Sequence, residues 1–232
     1  EDKVGIKEYL GIKINYSNET NLDKFSLDTL KDRYFWEKET HAQEAFARAA
    51  VFSATYKGHT DFDLAQRLYH YSSSCWFMFS TPILSNGGTS RGLPISCFLN
   101  YVPDSRGGLS DHFDENIWLA SSGGGIGGYW GDIRSNGIPT AHGSKSTGSI
   151  PFMHVVDSQM LAFNQGTTRR GSYAAYMDIS HPEIEEFINM RKESGGDINR
   201  KNLNLHNGIN LTNDFLKAVE EDADFRLVDP KS

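Results

Sequence analysis

The residues best suited to chemistry in this chain include one cysteine, Cys97, in the strand-like run Ile95 to Leu99. A cysteine thiolate is a nucleophile and a redox group, so Cys97 could take part in thiol–disulfide chemistry. A lone cysteine in such a run is also a common small buried hydrophobe. The residues alone leave both interpretations open. The other cysteine, Cys75, stands in a helical pattern of aromatic residues, and we interpret it as part of the core.

A run of glycines from Gly123 to Gly128, interrupted by Ile126, is the second candidate. A backbone without Cβ atoms can approach a ligand closely, and its N–H groups can face a phosphate or a base. A dinucleotide-binding fingerprint needs a strand before the glycines and a helix after them. Here the helical pattern Asn116 to Ser121 comes first and the strand-like Tyr129 to Ile133 follows. A Walker loop also fails, because Gly143-Ser144-Lys145-Ser146 lacks the required Gly-Lys order. The run is either a ligand contact or a structural loop.

A third candidate is the segment Asn164 to Ser172, in which Arg169 and Arg170 are flanked by glycines. Guanidinium groups can form bidentate hydrogen bonds to phosphate or stack on a base, so this loop could recognise a nucleotide. A solvated turn is the alternative. Thr81 and Ser96 carry small hydroxyls that could bind phosphate, although isolated residues of these types are usually ordinary surface residues.

Composition narrows the class of protein. The chain has 232 residues and a formal net charge of -7, which argues against broad binding to the phosphate backbone of nucleic acid. Its two cysteines cannot build a disulfide framework, so a reducing cytoplasm is expected. No apolar run approaches the roughly 18 residues of a membrane span, and the first residues lack the order of a signal peptide. No histidine or cysteine spacing predicts a metal site.

The hydrophobic pattern predicts two regions. Residues 1–79 are mostly helical, and residues 80–232 alternate strands with helices, which favours an α/β architecture with parallel pairing. The predicted helices of the first region are Phe25 to Leu30 with a serine cap, His41 to Ala54, and Asp61 to Phe79. The predicted elements of the second region are Ile95 to Val102, Asp104 to Ser121, Gly123 to Arg134, Ile150 to Ala162, Ser172 to Met177, Pro182 to Arg191 and Asn213 to Glu221.

Several short motifs occur in a characteristic order and spacing. In chain order they are Ser80-Thr81-Pro82-Ile83-Leu84 with Asn86-Gly87-Gly88-Thr89, Ser96-Cys97-Phe98-Leu99, Asp104-Ser105, Gly124-Gly125-Ile126-Gly127, Ile133-Arg134-Ser135-Asn136-Gly137, Asn164 to Ser172, and His181-Pro182-Glu183-Ile184-Glu185-Glu186-Phe187. Any one of them is weak evidence. Together they resemble the large, catalytic subunit of ribonucleotide reductase, whose opening barrel strands are similar to the first two motifs.

The resemblance implies a fold and its boundaries. We expect a helical N-terminal region, residues 1–79, without the ATP-binding cone of larger family members. We expect residues 80–232 to form about the first half of a ten-stranded α/β barrel with effector and substrate loops. The family's radical cysteine, its acid–base glutamate and its second redox cysteine lie beyond this sequence, so we expect the chain to be catalytically incomplete alone.

The resemblance also implies roles for individual residues. Cys97 would be one member of the thiol pair that reduces the ribose. The residues implied to contact substrate are Thr81 and Ser96, at the diphosphate, and Gly124 and Gly125, at the nucleoside. The residues implied to hold an allosteric nucleotide are Asp104, Ser105 and Arg134. The residues implied to relay effector identity to the choice of substrate base are Gln165, Arg169 and Arg170.

Partners and cofactors follow from the same resemblance. The expected partners are the C-terminal part of the large subunit, a second large subunit paired through the helices near Asp104 to Ala120 and Pro151 to Ala162, and a radical-generating small metal subunit. Adenosylcobalamin is the alternative radical source. A deoxynucleoside triphosphate or ATP would be the effector, and a thioredoxin- or glutaredoxin-type protein the reductant. The competing hypotheses are a non-catalytic deoxynucleotide-binding regulatory module and a purely structural α/β domain.

Overall fold

The computed structural model describes residues 3–163 and 171–231, which separate into two units between Ser96 and Cys97. The sequence pattern placed the boundary earlier, at residue 80. The difference arises because Thr81–Asn86 forms a helix, not an opening barrel strand. That helix belongs to the first unit, in which the guanidinium of Arg48 donates to the carbonyl oxygen of Leu84.

The first unit is helical with two small antiparallel hairpins. Its helices are α1 (Lys24–Arg33), α2 (Ala42–Ser53), α3 (Phe62–Ser73) and α4 (Thr81–Asn86). Its strands are β1 (Ile6–Tyr9), β2 (Ile12–Asn15), β3 (Thr55–Tyr56) and β4 (His59–Thr60). The predicted cap of α1 was wrong, because the carboxylate of Asp23 accepts from the N–H of Ser26 and starts the helix at Lys24.

The helix α2 is the centre of the first unit. Its alanines and Phe46 are fully buried and pack against residues from β2 and α3, whereas Phe52 near its end is exposed. Its start is fixed by Glu44, whose carboxylate accepts from the N–H groups of Thr40 and His41. The start of α3 is fixed by its N-cap Asp61, whose carboxylate accepts from the N–H of Leu64.

The second unit is a four-stranded parallel sheet with its strands in chain order. The strands are β5 (Cys97–Tyr101), β6 (Gly125–Tyr129), β7 (Ser172–Asp178) and β8 (His206–Asn210). The helices are α5 (Arg106–Ser121), α6 (Ile150–Ala162), α7 (Ile184–Asn189) and α8 (Asn213–Glu220). Parallel strands that pair in chain order and alternate with helices are part of an α/β barrel, which confirms the predicted fold class.

Gly125 to Gly128 belong to strand β6, so the interpretation of these glycines as a loop was wrong, whereas Gly123 and Gly124 precede the strand. The strand-like pattern assigned to residues 129–133 was also wrong, because β6 ends at Tyr129. Glycine is required here by close packing. A Cβ at Gly124 would lie 2.6 Å from the ring of Phe98, and one at Gly128 would collide with the Tyr173 hydroxyl. Side-chain bulk on neighbouring elements therefore explains glycines that the local pattern assigned to a loop.

The two faces of the sheet differ. Alternate residues point into the core beneath α5 and α6, with Ile126, Trp130 and Tyr173 buried there. On the opposite face Leu99 is 88% exposed and Tyr101 is half exposed. Across the described residues 3–163 and 171–231, no helix combines the length and apolarity needed to cross a membrane.

Candidate functional site

The candidate residues lie at opposite edges of the parallel sheet. At the edge where the strands begin, called here the amino edge, Cys97 pairs with Gly125 and Gly125 pairs with Ser172. At the carboxyl edge, where the strands end, Asp104 follows β5 and Arg134 follows β6. At about 3.3 Å per residue, the five-residue strand β5 separates the two edges by roughly 13 Å.

Asp104 and Arg134 meet at the carboxyl edge. The Nε–H of Arg134 donates to Asp104 Oδ2 over 2.8 Å, and its backbone N–H donates to Asp104 Oδ1 over 3.4 Å. Arg134 also donates to the carbonyl oxygen of Pro139 over 3.0 Å. These bonds hold the guanidinium in one orientation, and they neutralise the charge of the half-buried carboxylate.

A cleft of about 340 Å³ surrounds this pair. That size is within the roughly 300–1,000 Å³ of small-molecule sites. Its polar lining includes Asp104, Ser105, Arg106, Arg134, His142 and Lys145. Cationic groups outnumber the single carboxylate among these side chains, so the cleft suits an anionic ligand.

The helix α5 begins at this cleft. The hydroxyl of Ser105 accepts from the N–H of Gly108 over 3.0 Å, so Ser105 caps the helix. The N-terminus of a helix of 16 residues carries a partial positive charge, which adds to the cationic side chains nearby. Ser105 therefore lines the cleft and orders the helix at the same time.

The loop after Arg134 folds back as a narrow hairpin. Gly137 N–H donates to Ser146 O over 2.9 Å, and Ser146 N–H donates to Ile138 O over 2.8 Å. Gly137 lies in the left-handed region with φ of 86°, a conformation that favours glycine. The hairpin brings Lys145 to the cleft although it is remote from Asp104 in sequence.

The amino edge presents an accessible thiol. Cys97 is free and exposed at the first position of β5, which contradicts its interpretation as a buried hydrophobe. Cys75 is also free and exposed, so its interpretation as core was wrong. It lies just beyond the C-terminal end of α3, with a left-handed φ of 59°, and therefore leaves the helical pattern that suggested burial.

Comparison with known proteins decides the family. Residues 20–92 match the family model described as the ribonucleotide reductase all-alpha domain, and residues 95–232 match that described as the ribonucleotide reductase barrel domain. The second match alone covers more than half of the chain. The chain belongs to the ribonucleotide reductase large-subunit family.

Individual relatives of the reductase family agree. The chain is 54% identical over 170 residues to the putative ribonucleoside-diphosphate reductase large subunit of Frog virus 3, covering 73% of this chain and 29% of that protein. It is 47% identical over 208 residues to the ribonucleoside-diphosphate reductase large subunit of Invertebrate iridescent virus 3, covering 90% of this chain and 31% of that protein.

A solved structure shows the same fold. The class Id ribonucleotide reductase alpha subunit of Actinobacillus ureae superposes with a TM-score of 0.69 at 30% identity, covering 86% of this chain and 35% of that one. The chain therefore spans about a third of the length of these relatives.

Some of the candidate residues lie together within the second unit. Asp104, Ser105 and Arg134 share the cleft. Cys97 and Gly125 are paired neighbours, and Gly124 precedes β6 at the same edge. The residues that belong to the first unit are Thr81 and Ser96. The candidates that lie outside the described residues are Gln165, Arg169 and Arg170.

Thr81 is held in place by its own unit. Its hydroxyl lies 3.2 Å from that of Tyr34. The buried guanidinium of Arg48 binds both oxygens of Glu39 and donates to the carbonyl oxygens of Tyr34 and Leu84. These bonds tie the start and the middle of α4 to the helical core.

Sequence reasoning missed Arg106, His142 and Lys145 among the residues of the cleft. The segment containing Lys145 was considered only as a failed Walker loop. A signal was present, because small polar residues and glycines surround Lys145 between residues 140 and 148, but only the hairpin shows which way the segment turns. Among the described residues, no group of three His, Cys, Asp or Glu side chains is arranged to hold a metal ion.

Proposed function

We propose that this chain is the N-terminal part of a ribonucleoside-diphosphate reductase large subunit, which reduces ribonucleotides to deoxyribonucleotides for DNA synthesis. One arrangement carries the proposal. An exposed thiol, Cys97, begins β5, and the cationic cleft at Asp104 and Arg134 lies beyond its other end. One strand thus joins a candidate redox group to a candidate nucleotide site.

The cleft is the proposed allosteric site. Arg106, Arg134 and Lys145 would attract the triphosphate, assisted by the N-terminus of α5. Asp104 and Ser105 would accept or donate hydrogen bonds at the sugar or base. A deoxynucleoside triphosphate or ATP satisfies this pattern of charge.

Cys97 is the proposed redox residue. Two thiols would each give up a hydrogen and join as a disulfide, while the ribose loses its 2′-hydroxyl as water and gains hydrogen in its place. The second thiol and the radical cysteine would come from the C-terminal part of the subunit. A thioredoxin- or glutaredoxin-type dithiol would then reduce the disulfide and restore both thiols.

The remaining substrate contacts follow the resemblance. Thr81 and Ser96 would bind the diphosphate of the ribonucleotide. Gly124 and Gly125 would lie against the nucleoside, beside the thiol of Cys97. A radical would be supplied by a separate small metal subunit, with adenosylcobalamin as the alternative source. This chemistry needs reduced thiols, which is consistent with a cytoplasmic location.

The specificity loop is proposed to connect the two sites. Gln165, Arg169 and Arg170 follow α6 in the chain and precede Ser172, which pairs with Gly125 at the amino edge. A loop in that position can couple effector binding to substrate choice when it contacts both ligands differently in each state.

Exposed apolar surfaces support the proposed partners. Parallel sheets are normally covered on both faces. Here the face carrying Leu99 and Tyr101 is open, which suits the C-terminal part of the subunit. On α5, Trp118 is exposed, and on α6, Leu161 is exposed, which suits pairing with a second large subunit.

Reconstitution tests the proposed function. The chain would be combined with the matching C-terminal part and a radical-supplying small subunit, and nucleotide reduction would be measured with a dithiol reductant. Deoxynucleotide formation is expected. If no reduction occurs but a deoxynucleoside triphosphate still raises the melting temperature, the non-catalytic regulatory module is the better description. If nucleotides change neither turnover nor the melting temperature, a purely structural α/β domain describes the chain better than a reductase part or a regulatory module.

A further inference from the structure

One segment of the second unit binds both ends of the loop that lines the cleft. This cleft loop runs from Ile133 to Ser149 and carries Arg134 and Lys145. The segment is His181-Pro182-Glu183, which follows β7. Its two polar side chains are buried, and both are hydrogen-bonded to the cleft loop.

His181 binds the beginning of the cleft loop. Its Nδ1 accepts from the N–H of Glu183 over 3.1 Å. The ring proton therefore lies on Nε2, which donates to the carbonyl oxygen of Ile133 over 2.8 Å. Ile133 is the residue before Arg134, so this bond fixes the backbone from which the guanidinium enters the cleft.

Glu183 binds the end of the cleft loop. Its Oε2 accepts from both the N–H and the hydroxyl of Ser149, each over 2.9 Å. A Cβ at Gly148 would collide with this carboxylate, and the φ of 81° there also favours glycine. Arg200 completes the contact, since it donates to Thr147 O over 3.0 Å and pairs with Glu183 over 3.5 Å.

Asp229 binds the residue on the other side of Arg134. Its Oδ2 accepts from the N–H of Ser135 over 2.8 Å and from the Ser135 hydroxyl. The preceding residue, Val228, donates to Ser180 O over 2.8 Å, so the Asp229 segment is joined to the turn that carries His181. Both backbone neighbours of Arg134 are thus held by buried polar groups.

We infer that His181, Glu183 and Asp229 are positioning residues that hold the cleft loop in its nucleotide-binding geometry. The inference rests on the proposed allosteric site. Buried carboxylates are costly unless they are paired or hydrogen-bonded, and both carboxylates here bond to backbone N–H groups of the loop. A loop that is ordered before binding spares the ligand the cost of ordering it. Within residues 3–163 and 171–231, the three side chains are not part of the cleft lining, so they act through the loop.

Nucleotide affinity tests the inference. The full chain and two variants, Asp229→Asn and Glu183→Gln, would be titrated with fluorescent dATP, dGTP and dTTP well below each variant's melting temperature. Losing a hydrogen bond to a charged group is expected to raise Kd about tenfold in each variant. The matched controls are Asp224→Asn and Glu185→Gln, which change exposed acids near the same positions and should leave Kd unchanged.

Amide hydrogen exchange supplies a second measurement that needs no nucleotide. Asp229→Asn should accelerate exchange at the N–H of Ser135, and Glu183→Gln should accelerate it at Ser149, with distant core amides unaffected. Should either variant fail to fold, Ser135→Ala removes the hydroxyl partner of Asp229 alone, and it is expected to raise Kd about threefold.

The outcomes separate the two proposals. If the unmodified chain binds nucleotide and Arg134→Ala weakens binding, but the positioning variants bind and exchange like the unmodified chain, the inference is overturned and the allosteric site stands. If the unmodified chain binds none of the three nucleotides, the allosteric site is overturned, and the inference goes with it.

Discussion

Asp104 and Arg134 are thirty residues apart in the sequence, yet their side chains form an ion pair of 2.8 Å at the carboxyl edge of the sheet. The register of β5 with β6 places the ends of both strands side by side. The pair lies in a cleft whose charged lining residues are mainly cationic. This relationship gives the proposed allosteric site its charge and its geometry.

Removing the guanidinium should weaken effector binding. In Arg134→Ala, Asp104 would lose its partner and the cleft would lose a cation, so Kd for a deoxynucleoside triphosphate is expected to rise by about tenfold or more. Isothermal titration would measure this. Arg191→Ala, which removes an exposed arginine after α7, is the matched control and should bind as the unmodified chain does. Equal affinity of the two variants would exclude a role for Arg134.

The two exposed cysteines make a matched pair for the redox proposal. Cys97→Ser should abolish dithiol-supported turnover in the reconstituted reductase, because a hydroxyl cannot form the disulfide. Cys75→Ser should leave turnover unchanged. Effector affinity should be the same in both variants, since neither residue lines the cleft. Full turnover in Cys97→Ser would show that the thiol of Cys97 takes no part in the reduction.

A buried histidine should make the second unit sensitive to acid. His112 lies on α5, where its Nε2 is hydrogen-bonded to the Tyr173 hydroxyl over 2.9 Å, and that hydroxyl also accepts from Trp130 Nε1–H. Burial lowers the pKa of His112 from 6.5 to about 4. The unfolded chain therefore binds a proton between pH 6.5 and 4 that the folded chain excludes.

Because its pKa is lowered, His112 makes the folded chain less stable as the pH falls. Stability from the neutral His112 side chain is fully present above pH 6.5 and is lost as the pH falls toward 4, by about 3 kcal/mol in total. Urea unfolding at several pH values would measure the loss. His112→Gln should lose less stability over this range than the unmodified chain. Parallel pH profiles of the two proteins would count against the assignment.

Glycine at position 128 should be essential for the sheet. In Gly128→Ala the new methyl group would collide with the Tyr173 hydroxyl, which is fixed by its bonds to His112 and Trp130. We expect destabilisation of about 3 kcal/mol by overpacking. Gly107→Ala is the control, because nothing lies within 4 Å of a Cβ there and alanine favours the helix. Thermal unfolding would compare them, and equal melting temperatures would contradict the packing argument.

Patterns within short windows of the sequence predicted several helices and strands of this protein. The helix α6 begins and ends where the apolar pattern predicted, and Ser172 starts β7 as expected. These elements depend on periodicity and caps within a few residues, which a sequence window contains. The order of the short motifs likewise indicated the reductase family.

Other features depend on partners that are distant in the sequence. The helix that begins at Thr81 is bound by Arg48, far earlier in the chain, which donates to the carbonyl oxygen of Leu84. Gly124 and Gly128 are glycines because Phe98 and Tyr173 leave no room for a side chain beside them. None of these contacts can be inferred from a short window of sequence.

The sequence by itself determined the family, the α/β class and the identity of the redox and cleft candidates, because residue types and spacings carry that information. Only the tertiary structure decided that the thiol of Cys97 is exposed, that Lys145 turns toward the cleft, and that His181, Glu183 and Asp229 hold the cleft loop. The physical reason is that parallel strand register and side-chain packing are long-range properties. They decide which loops meet at each edge of the sheet.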